Sequence, residues 1–125
     1  AGLVSSPRDY DRFLNMLMGE GAIGATRIMK RETAQLAMSN LVHPDTKMES
    51  FVTGQGFGAG GRVTLSPGKN GEGVGTFGWG GAASTIGWVD RTKGIRASGW
   101  SQIMTMGDQP FVEGFSKSVY ESLAN

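Results

Sequence analysis

Thr76-Phe77-Gly78-Trp79-Gly80-Gly81-Ala82-Ala83-Ser84-Thr85 joins two strand-like runs, Val74 to Trp79 and Ser84 to Asp90. Its centre, Phe77-Gly78-Trp79-Gly80-Gly81, sets bulky aromatics beside glycines, which is poor material for filling a core. Glycine adds no side-chain contacts and weakens a strand, but it lets a ligand or another backbone come close. The doublet Gly80-Gly81 therefore reads either as a place where main-chain N–H groups face something other than protein, or as a tight strand end or bulge.

Working outward from this stretch, the pattern stays β-like on both sides. From Gly54 onward short strands lie between glycines, and Phe57, Ala59, Gly61, Val63 and Leu65 alternate with period two. Ser66-Pro67-Gly68-Lys69-Asn70-Gly71 is a turn, Asp90-Arg91-Thr92-Lys93-Gly94 a polar hairpin loop, and Gly94 to Thr105 a further extended run. Gln109-Pro110 opens a last helix whose positions Phe111, Val112, Phe115, Val119, Tyr120 and Leu123 form one apolar stripe.

Upstream, Ser6-Pro7-Arg8-Asp9 is a helix start, with Ser6 able to cap and Asp9 at the capping-box position. Tyr10, Phe13, Leu14, Leu17 and Met18 follow at helical spacing, and Gly19-Glu20-Gly21 stops the helix. Thr26 to Met29 is short and extended. Arg31 to Ser39 is a second helix with Leu36 and Ala37 on one side and Asn40 as C-cap. Consecutive strands with short loops pair antiparallel, and the last helix would cover one face of their sheet. The expected class is α+β, an antiparallel sheet covered by helices, in a single segment over residues 1–125.

Composition narrows the function. Twenty-one glycines in 125 residues are far above ordinary usage, yet they are scattered, which excludes collagen-like and solenoid repeats. A net charge of +1 implies no broad field toward nucleic acid or a membrane surface. The absence of cysteine excludes disulfides and thiolate chemistry. No apolar run reaches the ~20 residues of a membrane-spanning helix. Ala1-Gly2-Leu3-Val4 looks like the inside of a protein, so a cut or truncated N-terminus is expected.

The remaining motifs carry little chemistry. His43 is the only histidine, set in a polar loop beside Asp45, and no second His or Cys offers a shared metal site, so neither metal nor cofactor is expected. Gly56-x-Gly58-x-Gly60-Gly61 precedes a strand rather than a helix, which argues against a dinucleotide loop. Trp79, Trp88 and Trp100 lack basic interleaving and read as core and cleft aromatics.

Three ordered stretches resemble the serine β-lactamase-like family, which holds class C β-lactamases and their esterase and transacylase relatives. The run from Ala1 to Phe13 resembles the family's Gly-Leu-x-Ser-Thr-x-x-Asp-Tyr-x-x-Phe helix start. Arg27-Ile28-Met29 through Met38-Ser39-Asn40 resembles its Arg-Ile-Leu-Ser-Pro…Met-Thr-Ser-Asn segment, with Lys30-Arg31 where Ser-Pro is usual, which weakens the second helix's N-cap. Thr76 to Thr85 with Trp88-Val89-Asp90 resembles the Tyr-Gly-Trp-Gly-Gly-Ala-Ala-Gly-Thr…Asp hairpin of esterase-like members.

The resemblance implies the C-terminal part of a β-lactamase/transpeptidase-like fold. It implies that Trp79 stands where other members carry a lysine, that Gly80 and Gly81 contact substrate, and that the Ala82 backbone N–H serves the oxyanion hole of an acyl-transfer site. With no cation at position 79, it implies small esters or neutral acyl compounds rather than β-lactams. The family's nucleophilic Ser-x-x-Lys and its Tyr-x-Asn belong upstream of Ala1, so no nucleophile is assigned within these residues. The implied partner is the N-terminal part of the same protein as a companion chain, or a second copy, joined through the edge formed by Gly94 to Thr105, where the run Trp100 to Met106 holds no charge and no Pro. A non-catalytic binding or interaction module of the same fold stays open as the alternative.

Overall fold

The structure is a computed structural model that describes residues 3–46, 54–104 and 110–123. Helix α1 spans Pro7–Met18. Ser6 caps it from an extended conformation: its Oγ accepts from the Asp9 N–H at 3.1 Å and donates to the Asp9 carboxylate at 2.8 Å. Leu14, Met16 and Leu17 are buried, while Phe13 turns outward and lies ring to ring with Tyr10 at 5.8 Å. The helix ends at Gly19, and Gly21 then takes a φ of +91° with the Met29 carbonyl so close that no Cβ would fit. A two-residue hairpin follows, β1 (Ala22–Ile23) against β2 (Thr26–Arg27).

Helix α2 spans Arg31–Ala37, and its N-cap Lys30 makes no side-chain cap bond, as the replaced Ser-Pro implied. Its inward face differs from the expected one. Ala34 and Met38, one turn apart, enter the core, whereas Leu36 is 61% exposed. Nor does Asn40 cap the helix, because the Met38 N–H already closes onto the Ala34 carbonyl. Asn40 Oδ1 instead accepts from the Val42 and Phe57 N–H groups and ties the loop to the sheet.

The sheet is antiparallel throughout, in the order β3 (Gly56–Phe57), β4 (Arg62–Val63), β5 (Phe77–Gly80), β6 (Ile86–Asp90), β7 (Ile95–Gly99). The single alternating run expected from Phe57 to Leu65 is two short strands, since Gly58 N–H bonds the Gly61 carbonyl and folds the chain back. Likewise β7 stops at Gly99 instead of running to Thr105. Ser101 Oγ donates to the Ala83 carbonyl at 2.7 Å and Ser84 Oγ to the Ile103 carbonyl at 2.9 Å, drawing residues 101–103 onto the β5–β6 turn. Thr105 itself lies outside the described residues.

Both faces of the sheet are covered. Val63, Phe77 and Val89 meet Leu14, Leu17, Ala34 and Met38 of the first two helices in one cluster. Alternate residues Trp88 and Asp90 point the other way, toward α3 (Pro110–Ser122). There Trp88 packs edge-on against Phe115, and the Trp88 indole donates to Tyr120 Oη, which donates to Asp90, at 3.0 Å each. The expected α+β class, an antiparallel sheet covered by helices, is what the chain adopts.

Candidate functional site

The β5–β6 hairpin carries the residues singled out by sequence. Strand β5 pairs with β6 over its whole length but with β4 only at Phe77 and Gly78. Among the described residues, no strand pairs with β5 beyond Gly78 on its β4 side. Gly78 is a packing necessity: a Cβ there would sit 2.5 Å from the Trp88 Cβ and collide with the Gly87 carbonyl.

Beyond Gly80 the chain turns. Gly81 N–H bonds the Thr85 carbonyl at 2.7 Å and Ser84 N–H bonds the Gly81 carbonyl at 3.0 Å, so Ala82 and Ala83 are the central residues of a tight turn. Ser84 completes it with a φ of +58°, although it is fully buried and not glycine. That left-handed residue after a turn is a three-residue hairpin loop, and the Ser84 hydroxyl bond to Ile103 holds it there. Among the described residues nothing accepts from the Ala82 N–H. A ladder donor in Gly81 is thus followed by an unengaged donor in Ala82, at the end of an open strand edge.

Two clefts meet at Trp79. The smaller, about 200 Å³, is lined by Tyr10, Trp79, Gly80, Gly81, Thr85 and Trp100 among others, and brings the three expected substrate-contacting residues together. Tyr10 lies on Gly87, where a Cβ would come 2.5 Å from its ring, and stands edge-on to Trp100 at 5.6 Å. Burial pushes the Tyr10 phenol up, so it stays a neutral donor. Read from sequence as one member of a core stripe, Tyr10 is also a wall of the cleft; its hydroxyl was the available signal. The larger cleft, about 440 Å³, lies on the α3 side and includes Arg62, Trp79 and Trp88. There the Arg62 guanidinium stands 5.5 Å from the Trp79 ring centre and Phe57 packs edge-on to the same ring at 5.2 Å. Nothing in the local sequence pointed to Arg62.

Of the other candidates, His43 lines neither cleft, whereas Lys69 lines the larger one. His43 is a solvated loop residue, 3.5 Å from an exposed Asp45 carboxylate. Among the described residues no group of three His, Cys, Asp or Glu could hold a metal ion. The spacing Ser-x-x-Lys does occur once, at Ser66-Pro67-Gly68-Lys69. It lies in a bend and turn rather than on a helix, and Lys69 is ion-paired with Glu113 at 2.7 Å. That contact raises the Lys69 pKa and keeps the amine protonated, the wrong state for a base.

A family model for beta-lactamases matches residues 1–113. The chain belongs to the beta-lactamase family. It is 34% identical over 94 residues to two Mycobacterium tuberculosis proteins, the uncharacterized protein MT1414 and protein Rv1367c; the match covers 67% of this chain and 23% of each of theirs. Among solved structures it is similar to simvastatin synthase LovD from Aspergillus terreus. The LovD9 mutant superposes with a TM-score of 0.80 at 20% identity, over 96% of this chain and 35% of that one. The unliganded selenomethionyl form gives 0.77 at 17% identity, over 94% and 34%. The β-lactamase/transpeptidase-like fold therefore covers this chain, which spans about a quarter of the length of its M. tuberculosis relatives. Membership makes the chain a relative of beta-lactamase-type serine hydrolases.

Proposed function

We propose that residues 79–82 form the oxyanion wall of a serine acyl-transfer site, with residues 1–125 one segment of the domain that holds it. An ester would lie along the open edge of β5, over Trp79, Gly80 and Gly81. As the nucleophile adds, negative charge develops on the carbonyl oxygen, and a fixed N–H aimed at that oxygen stabilises it without having to reorganise. The Ala82 N–H has that character. It is held by a turn closed on both sides, and it has no acceptor among the described residues. This single observation carries the reading.

The nucleophile and its base would come from outside these 125 residues, from the N-terminal part of the same protein or from a companion chain. The Ser66–Lys69 spacing is a poor substitute, because its lysine is held protonated by Glu113. The preferred substrates are esters, since position 79 offers an indole where a cation would hold a β-lactam carboxylate.

Ala82→Pro in the full-length protein tests the proposal. Proline suits the first central position of a tight turn and deletes only this N–H. The fold should persist, and kcat toward a p-nitrophenyl ester should fall on the order of 10²–10³-fold with KM little changed. A well-folded variant with full kcat would refute the assignment of Ala82.

A further inference from the structure

The larger cleft contains a cation whose hydrogen-bond donors have no acceptor among the described residues. Arg62 sits on β4 opposite Gly78, at the point where β5 loses its neighbour on that side. Its side chain is half-buried and makes no hydrogen bond among the described residues. The charges nearby are already engaged. Lys69 and Glu113 pair with each other, and the Glu72 carboxylate accepts from the Asn70 N–H at 2.9 Å and from its amide at 3.0 Å. Burial pushes the Arg62 pKa down and the field of Glu72 pulls it back, but an arginine stays charged at neutral pH. A half-buried guanidinium whose donors are unspent, above a cleft of about 440 Å³, is built for an oxyanion. The walls around it are aromatic, Trp79 and Trp88, with the hydroxyls of Thr64, Thr76 and Ser116 beside them.

We propose that this cleft is a recognition subsite for a carboxylate at the far end of the acyl chain, with Arg62 as the residue that binds it. The inference rests on the acyl-transfer reading of residues 79–82, and it revises the preference for neutral substrates. The cation missing at position 79 is supplied from the neighbouring strand, on the other cleft that Trp79 lines. Geometry sets the length of the chain. Ala82 lies three residues beyond Trp79, over which the guanidinium lies, and two of those steps pass through the turn after Gly80, so the separation is at most about 10 Å. A carbonyl at Ala82 and a carboxylate at Arg62 would then be separated by up to about six methylenes. The apolar spacer would lie on Trp79.

The test compares p-nitrophenyl hydrogen suberate with p-nitrophenyl octanoate on the full-length protein and its Arg62→Gln and Arg62→Lys variants. Arg62→Gln should raise KM for the anionic ester about tenfold to a hundredfold, the range of a lost charged hydrogen bond. The neutral ester should change by less than about twofold, and Arg62→Lys should recover part of the loss. Equal effects on both esters, or none on either, would overturn the subsite. Should the protein hydrolyse neither ester, the acyl-transfer reading fails by itself and calorimetric titration with octanoate and octanamide decides the subsite alone. Octanoate binding at least tenfold tighter than octanamide, with the difference gone in Arg62→Gln, upholds it. Indifference to the carboxylate overturns it.

Discussion

Asp90 is fully buried, yet it is surrounded by donors. Gly73 N–H and Tyr120 Oη reach one oxygen, and the N–H groups of Thr92 and Lys93 with the Thr92 hydroxyl reach the other. Burial alone would push its carboxyl up, but these hydrogen bonds outweigh it and hold the pKa below the ordinary carboxylate range. A pKa lower in the folded than in the unfolded chain stabilises the fold above the unfolded value, about 3.9, and that stabilisation is lost as pH falls through the folded value. Denaturant unfolding between pH 7 and pH 3 should therefore show stability dropping at the acid end. Asp90→Asn should cost about 2–4 kcal/mol at pH 7, the scale of a broken buried network, and should flatten the acid limb. An unchanged limb would mean that Asp90 does not carry it. Residues of this kind were partly legible in the sequence. Trp79, Gly80 and Gly81 marked a candidate backbone site because glycine beside an aromatic packs a strand poorly. Arg62 did not, since its place beside Trp79 depends on its pairing with Gly78, 16 positions on, from a strand only two residues long.

At the scale of elements, local signals decided where helices begin and tertiary contacts decided where strands stop. Ser6 and Lys30 make a matched contrast, because both stand at N-caps in extended conformation and only Ser6 accepts a bond. Ser6→Ala should cost about 1 kcal/mol in urea unfolding, and Lys30→Ser should add up to about 1 kcal/mol. If Lys30→Ser gave no gain, the unsatisfied start of α2 would have to be met by other means. The strand ends were illegible for a different reason. Period two continues through Ala59 and beyond Gly99, but a glycine turn at 58–61 and the serine hydroxyls at Ser84 and Ser101 divert the backbone, and neither alters the hydrophobic pattern. The inward face of α2 was misread for lack of context. Ala34 is small and weakly hydrophobic, and only its neighbours Val63, Phe77 and Met38 make it core.

At the scale of the whole molecule, one sheet sits between α1 and α2 on one face and α3 on the other, and the candidate site lies where β5 outruns β4. Strand β7 pairs with β6 along one edge and is the outer strand of the described sheet, so its other edge has no strand partner among the described residues. That edge is where we place the proposed companion, either the N-terminal part of the same protein or a second copy. Such an arrangement divides the chemistry, with the oxyanion wall in these residues and the nucleophile beyond them. A crystal structure of the full-length protein after reaction with a p-nitrophenyl alkylphosphonate, which mimics the tetrahedral intermediate, tests this division most directly. Phosphorus is expected bonded to a serine outside residues 1–125, with a phosphonyl oxygen accepting from the Ala82 N–H at about 2.7–3.1 Å. Phosphorus on Ser66 or any other serine of this chain, or a phosphonyl oxygen turned away from Ala82, would contradict it.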